Sequence, residues 1–411
     1  MKKIAIIGGG ITGCLSGLHY ANLGYKVEIF EKNNFLGGIM TDIETENDFY
    51  FNGPNYFEAN SWWIKELKKD DLFKKFFFDF KLKYGSYNDL FNSKIYSNNF
   101  AQLVTNEKFT KITKKNSKLY VNRISSYQNK IATQILNWSE KFCSQTNKLH
   151  EACSLLINTG RVFFKNDKKK ILKLKRTDKF ADKILGVPDI KHKEENYCVP
   201  GKGFKIFFEK LYEYLEIKSV KIHLNSRISI ENESKLSLLN NQKKIFFDYA
   251  IWCANPVQLI SKTKIGNLDN PIVKVKTIVF DVELKNTFKG NIYIQVFLRK
   301  NNLFRIFIYK IKNKIKMSLE LIFDKNINIK NETELALKIL DNMGYKIKKN
   351  SYVLDKNEVR HMLFTRSDLK KFELFEKKES DFKIISGAWY TIGRENKVSQ
   401  IIKRSSRYII Q

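Results

Sequence analysis

The sequence predicts an α/β protein: a Rossmann-type, mainly parallel sheet with helices, beside a part with helices and a mainly antiparallel sheet. Three observations predict it. An apolar run at residues 2–7 enters Gly8-Gly9-Gly10-Ile11-Thr12-Gly13 directly. A helix-like stretch at 14–23 follows, then a second apolar run at 26–30 that ends on Glu31. A third apolar run meeting a glycine, 382–387, lies near the far end of the 411 residues.

The opening order is strand, glycine turn, helix, strand, acid, which is the Rossmann-type arrangement that seats a pyrophosphate on a helix N-terminus. Gly8 permits the tight turn off the strand, Gly10 leaves room for a phosphate, and Gly13 lets helix and strand approach closely. Ile11 and Thr12 complete the loop. Glu31, 18 positions after Gly13, falls where a carboxylate accepts hydrogen bonds from ribose hydroxyls.

Farther along, apolar spacing predicts helices at 62–67 and 72–77 within a mainly helical block ending near 196. Breaks fall at Gly186-Val187-Pro188 and at Val199-Pro200-Gly201-Lys202-Gly203. An amphipathic helix is expected at 206–215. Strands are expected at 220–224, 227–230, 236–239, 244–247 and 249–253, then in long β-type runs between 271 and 324. Helices are expected at 332–343 and about 395–408.

Composition narrows the function. No apolar stretch approaches the ~18 residues of a membrane-spanning helix. Residues 2–7 already read as a strand, so no signal peptide is expected, and five scattered cysteines suit a reducing, cytoplasmic setting. Neither cysteines nor histidines show metal-ligand spacing. Lys plus Arg number 74 against 43 Asp plus Glu, a formal charge of +31. That excess favours anionic partners, such as a phosphorylated substrate or a peripheral membrane surface. The lysines are spread along the whole chain, however, as compositional drift would spread them, and no nucleic-acid-binding arm stands out.

Beyond Glu31, Lys32-Asn33-Asn34-Phe35-Leu36-Gly37-Gly38 extends the pattern with a second glycine pair. The whole stretch resembles the N-terminal fingerprint of the FAD-dependent amine-oxidase-like superfamily, which includes amine oxidases, protoporphyrinogen oxidase, carotenoid desaturases and UDP-galactopyranose mutase. Four further segments are similar, in the expected order: 49–57 with Gly53-Pro54-Asn55, 197–204, 225–256, and 385–400 with Gly387-Ala388-Trp389-Tyr390. Ile39, where most members have Arg, and Lys202, which splits a glycine pair, depart from the pattern.

The resemblance implies FAD as cofactor. It implies contacts from Gly8, Gly10, Ile11, Thr12, Gly13, Glu31, Lys32, Gly37, Gly38, Gly53, Pro54, Asn55, Ile228, Ala254, Gly387 and Asn396. Residues 1–60, 197–262 and 355–411 would form the FAD-binding domain, and 61–196 and 263–354 the substrate domain. The implied activity is hydride removal from a small molecule to flavin N5. One alternative is a mutase-like reaction on an anionic nucleotide-sugar, with a diphosphate held by arginines among Arg305, Arg360, Arg366 and Arg394. Another is a non-catalytic FAD-binding protein with a basic partner-binding face. Near the flavin the candidates are Asn55, Trp389, Tyr390 and Arg394. Asn55 either bonds near the flavin or caps a turn after Pro54, and Trp389 and Tyr390 either wall the flavin or fill the core.

Overall fold

A computed structural model describes residues 2–91, 94–97, 100–115, 118–187, 196–230, 238–391 and 393–409. Pro188 and the pair Leu236-Ser237, read above as a break and the start of a strand, lie outside them.

Four distant stretches of chain build one five-stranded sheet. Its order is Lys221–His223, Lys26–Phe30, Lys3–Ile7, Tyr249–Trp252 and Ile384–Ser386, with every pairing parallel. Ile4, Ala5, Ile6 and Ile7 are all buried, because a parallel sheet covered on both faces needs an apolar run rather than alternation. Helix Ile11–Asn22 lies against this sheet, and Gly17 faces the Ile29 side chain so closely that an added Cβ would stand 3.0 Å from it. The closing helix Arg394–Ser405 packs beside the first, where Tyr20 meets Ser405.

The second sheet has seven strands, ordered Ile347–Met362, Ile272–Leu284, Lys314–Ile322, Leu303–Ile311, Ile292–Phe297, Lys83–Asn88 and Ile95–Ser97. All its pairings are antiparallel except Ile292–Phe297 with Lys83–Asn88. Helix Ile329–Asn342 covers one face through Ala336, Ile339 and Leu340.

Two expectations need correction. Residues 72–77 are not a helix: the chain turns there and enters strand Phe77–Lys81, which pairs with Asn196–Pro200. The rings of Phe73, Phe76 and Phe77 gather on Phe207, so tertiary packing overrides the local helical spacing. The block to 196 is also less helical than its pattern suggests, since it contributes strands to three sheets before and among its helices. Strand Ile347–Met362 was not foreseen. It is an edge strand along the length of Ile272–Leu284, and the expected boundary at 354/355 falls inside it. Among the described residues no helix is long and apolar enough to cross a membrane.

Candidate functional site

The first glycine loop and the second lie side by side. Gly8 N–H donates to the Phe30 carbonyl at 2.8 Å, Gly37 N–H donates to the Gly9 carbonyl at 2.9 Å, and Gly10 bridges Gly37. A Cβ on Gly13 would stand 1.9 Å from the Gly8 carbonyl oxygen, so no other residue fits. Gly10 differs. The nearest atom to a Cβ there is Gly38 Cα at 4.0 Å, which leaves open space on the side where a ligand would lie.

Glu31 is buried and has a second task that the spacing alone did not reveal. Its Oε2 accepts from Gly9 N–H at 2.7 Å and its Oε1 from Asn33 N–H at 2.9 Å, so the carboxylate braces the phosphate loop. Each oxygen keeps a further lone pair for a ligand hydroxyl.

These residues border a cavity of about 920 Å³, toward the upper end of the ~300–1,000 Å³ usual for ligand pockets. Gly8, Gly10, Ile11, Thr12, Gly13, Gly37 and Gly38 line its loop portion. Glu31, Lys32 and Ile228 line a second portion, where Ser226 N–H donates to the Glu31 carbonyl at 2.8 Å. Pro54, Asn55, Ala254 and Arg394 also line it. Asn55 is buried, and its Nδ2 donates to the Asn52 carbonyl at 2.9 Å, so it holds the turn it follows while facing the cavity.

Other expected site residues lie elsewhere. Gly53 is absent from the lining and supplies a positive φ of 77° to the turn before Pro54. Gly387 is hemmed in by backbone, with a Cβ 2.6 Å from the Trp252 carbonyl oxygen, and does not border the cavity. Trp389 and Tyr390 do not wall it either: both pack on Phe372, Trp389 donates to the Ala254 carbonyl at 3.1 Å, and Tyr390 donates to Glu376. Asn396 is exposed on the first turn of the closing helix. Arg366 borders a different cavity, and the Arg360 side chain is outside the described residues.

Sequence reasoning missed Lys397 and the pairing of Arg305 with Glu320. Gly393, Arg394 and Lys397 bring the N-terminus of the 12-residue closing helix to the cavity wall. Arg394 Nη1 donates to the Tyr56 carbonyl at 2.8 Å. Burial holds both Arg394 and Lys397 below their usual basicity, and Arg394 adds to the effect on Lys397. Arg305 and Glu320 face each other across neighbouring strands, and both are buried at the cavity's edge with Nη1 3.2 Å from Oε2. Cys253 also lines the cavity, but burial pushes its thiol up to about 12, so it is no thiolate at neutral pH.

Residues 6–69 match the family described as an NAD(P)-binding Rossmann-like domain. The chain is 42% identical over 52 residues to a 4,4'-diapophytoene desaturase of Staphylococcus aureus (strain COL), a match covering 13% of this chain and 10% of the desaturase. It is 41% identical over 54 residues to a 4,4'-diaponeurosporene oxygenase of Staphylococcus haemolyticus (strain JCSC1435), covering 13% and 11%. Each match thus spans about a tenth of the curated relative. Similarity of fold is far broader. A reduced UDP-galactopyranose mutase superposes with a TM-score of 0.68 at 12% identity, over 99% of this chain and 95% of that one. A triple mutant of putrescine oxidase gives 0.61 at 11%, over 100% and 99%.

The fold and the groove define a dinucleotide-binding protein whose second sheet borders the cofactor cavity. The chain shares its fold with these UDP-galactopyranose mutase and putrescine oxidase structures, and its groove has the form that takes a dinucleotide such as FAD. The residues present fit it: an open face at Gly10, an anchored acid at Glu31, and a positive helix end beyond them.

Proposed function

We propose that this chain is an FAD-dependent oxidoreductase that takes a hydride from a small polar substrate held between the closing helix and the seven-stranded sheet. Bound FAD supplies the hydride acceptor, flavin N5. One observation carries the reading. Arg394 and Lys397 are like charges three residues apart on the first helical turn, where the helix dipole is positive and both are desolvated. Such an arrangement is unfavourable in an empty groove and becomes favourable beside an anion. Reduced flavin is that anion.

In this reading Gly10, Ile11 and Thr12 receive the pyrophosphate, Glu31 the adenosine ribose, and Arg394 and Lys397 the negative charge that develops on reduction. Asn55 and Tyr56 hold the turn beside the substrate. The Arg305–Glu320 pair offers both a cation and a carboxylate, which suits a polar or zwitterionic substrate. Five unpaired thiols accord with a reducing cytoplasmic location.

Arg305 supports a second reading. It contacts the Tyr293 and Phe304 rings and borders the same cavity as Arg394, so two arginines are available to a diphosphate-bearing sugar. One experiment separates the two. Under anaerobic conditions, oxidised enzyme is mixed with amine, alcohol and saturated-acyl donors while flavin absorbance is followed, and dithionite-reduced enzyme is mixed with UDP-galactopyranose. Bleaching by a donor supports hydride removal. Sugar-ring isomerisation without bleaching replaces it with the mutase reading, and silence in both arms defeats the catalytic proposal.

A further inference from the structure

Helix Phe204–Ile217 starts without a cap of its own, because the residue before it, Gly203, has a positive φ of 93° and no side chain. The cap comes from a different stretch of chain. Asp42 opens the short strand Asp42–Glu44, just past the second glycine turn, and its Oδ2 accepts from Lys205 N–H at 3.0 Å. A Cβ on Gly203 would stand 2.6 Å from that oxygen, so only glycine fits where carboxylate and helix meet. The same helix reaches the cofactor groove. Its Phe208 ring lies against Gly37, 2.8 Å from where a Cβ would be, and Gly37, Gly38, Ile39 and Met40 line the groove. The glycine turn is thus tied to this helix twice, through Phe208 and through Asp42.

Asp42 is buried, and among the described residues its Oδ1 has no hydrogen-bond partner. Either protonation state therefore carries a cost. The carboxylate is desolvated, yet it gives the positive helix end a charge-assisted acceptor. In the neutral acid a proton on Oδ1 finds no acceptor, and a proton on Oδ2 opposes the N–H that points there. Neighbouring charges do not tip the balance far. Glu44, on the same strand, opposes ionisation but is paired with Lys205 at 3.0 Å. Lys316, from strand Lys314–Ile322, favours ionisation but is held by Asp48. Tyr309, from strand Leu303–Ile311, accepts from Phe51 N–H, and Lys356, from the edge strand, donates to Thr41. Burial, the largest influence, pushes the Asp42 carboxyl up to about 7, against the pull of Lys205 N–H and Phe204 N–H.

We infer that Asp42 is a positioning residue for the cofactor, and that its ionisation sets how firmly the groove holds FAD. The inference rests on the reading of the groove as an FAD site. Ionised, Asp42 fixes the helix start, and Phe208 keeps the Gly37–Gly38 turn against the phosphate loop, where Gly37 N–H donates to the Gly9 carbonyl. Protonated, the cap weakens and the turn loosens with it, so FAD leaves more readily in acid. The coupling is reciprocal, and bound FAD draws the proton off Asp42.

The test titrates the full chain with FAD on both sides of pH 7, following flavin fluorescence. FAD keeps its own charge across that range, so a step in affinity belongs to the protein. For the parent, affinity should rise about fivefold from the acid to the alkaline side, the difference between a neutral and a charge-assisted hydrogen bond. Asp42→Asn keeps an acceptor for Lys205 N–H but cannot ionise, and should show the weaker affinity throughout, without the step. Glu44→Gln changes an exposed side chain and removes the like charge that opposes ionisation. It should move the step to lower pH and leave the affinities on either side of it as they were. No FAD binding at any pH overturns the cofactor reading and this inference together. Binding without a step in the parent, or with a step that survives Asp42→Asn or stays in place in Glu44→Gln, overturns this inference alone.

Discussion

Gly10 and Gly13 sit three residues apart in one loop, and the structure assigns them opposite sensitivities. At Gly10 the backbone is extended, φ −69° and ψ 171°, which alanine adopts freely. The added methyl meets nothing closer than Gly38 Cα at 4.0 Å, so Gly10→Ala leaves apo stability unchanged within about 0.5 kcal/mol. The methyl instead enters the space through which a pyrophosphate approaches the helix N-terminus. Losing one or two charge-assisted N–H contacts costs roughly 1.5–3 kcal/mol, about ten- to a hundredfold in FAD affinity. Gly13→Ala inverts this pattern. Its methyl would stand 1.9 Å from a backbone oxygen, and the strain of about 3 kcal/mol falls on folding itself. Thermal melts of apo protein and titration of flavin fluorescence quenching measure the two quantities separately. A Gly10→Ala protein that binds FAD as tightly as the parent would refute the placement of the cofactor on this loop.

Three further outcomes follow from particular contacts. Glu31→Gln turns one amide donor toward Gly9 N–H or Asn33 N–H, so apo stability falls by about 1–2 kcal/mol and FAD affinity with it, read by the same two assays. Lys397→Gln removes a desolvated cation from the helix end and makes the bound flavin harder to reduce by roughly 30 mV, measured by dye-linked redox titration; an unchanged potential would remove Lys397 from the site. Glu379, only 1% exposed, is pushed up to about 7 by burial, against the pull of Arg404 and Ser386 N–H. Its folded pKa lies above the unfolded value of 4.5, so the folded state holds the proton more tightly and stability declines as pH rises from about 4.5 through 7. The loss is at most about 3 kcal/mol, and Glu379→Gln should lessen the fall in melting temperature over that window, to which buried Asp42, also pushed up to about 7, contributes the rest.

The cofactor half of the fold was legible because its signals are local. Residues 3–31 carry strand, turn, helix and acid in an order that few other structures require, and Gly13 answers to a contact within the same loop, the Gly8 carbonyl. Residues 72–77 misled because aromatic side chains at helical spacing also suit a turn whose rings converge on one distant phenylalanine, Phe207. Strand Ile347–Met362 escaped notice because it lies at a sheet edge, where one face is wet and lysine, asparagine and serine dilute the alternation. The pair Arg305 and Glu320 lies 15 positions apart in sequence and becomes a pair only through strand register. Lys397 had a visible signal, three residues after Arg394 at a helix start, but it was one cation among 74.

That last point separates informative charge from abundant charge. An exposed lysine costs the fold little and records mainly composition. A buried cation, or a buried donor without an acceptor, costs free energy in the empty protein and persists only where something offsets it. Applied to this chain, the rule discards most of the +31 and retains a short set. Arg305 is offset internally by Glu320 and Arg394 in part by Glu58, whereas Lys397 has Arg394 and a positive helix end beside it. Compensation for Lys397 therefore comes from the groove, and the ligand there becomes more negative during turnover or arrives negative. A cofactor that gains charge on reduction meets the first condition and a diphosphate substrate the second. The potential shift in Lys397→Gln distinguishes them, because a residue that only binds substrate leaves the potential of the substrate-free enzyme where it was.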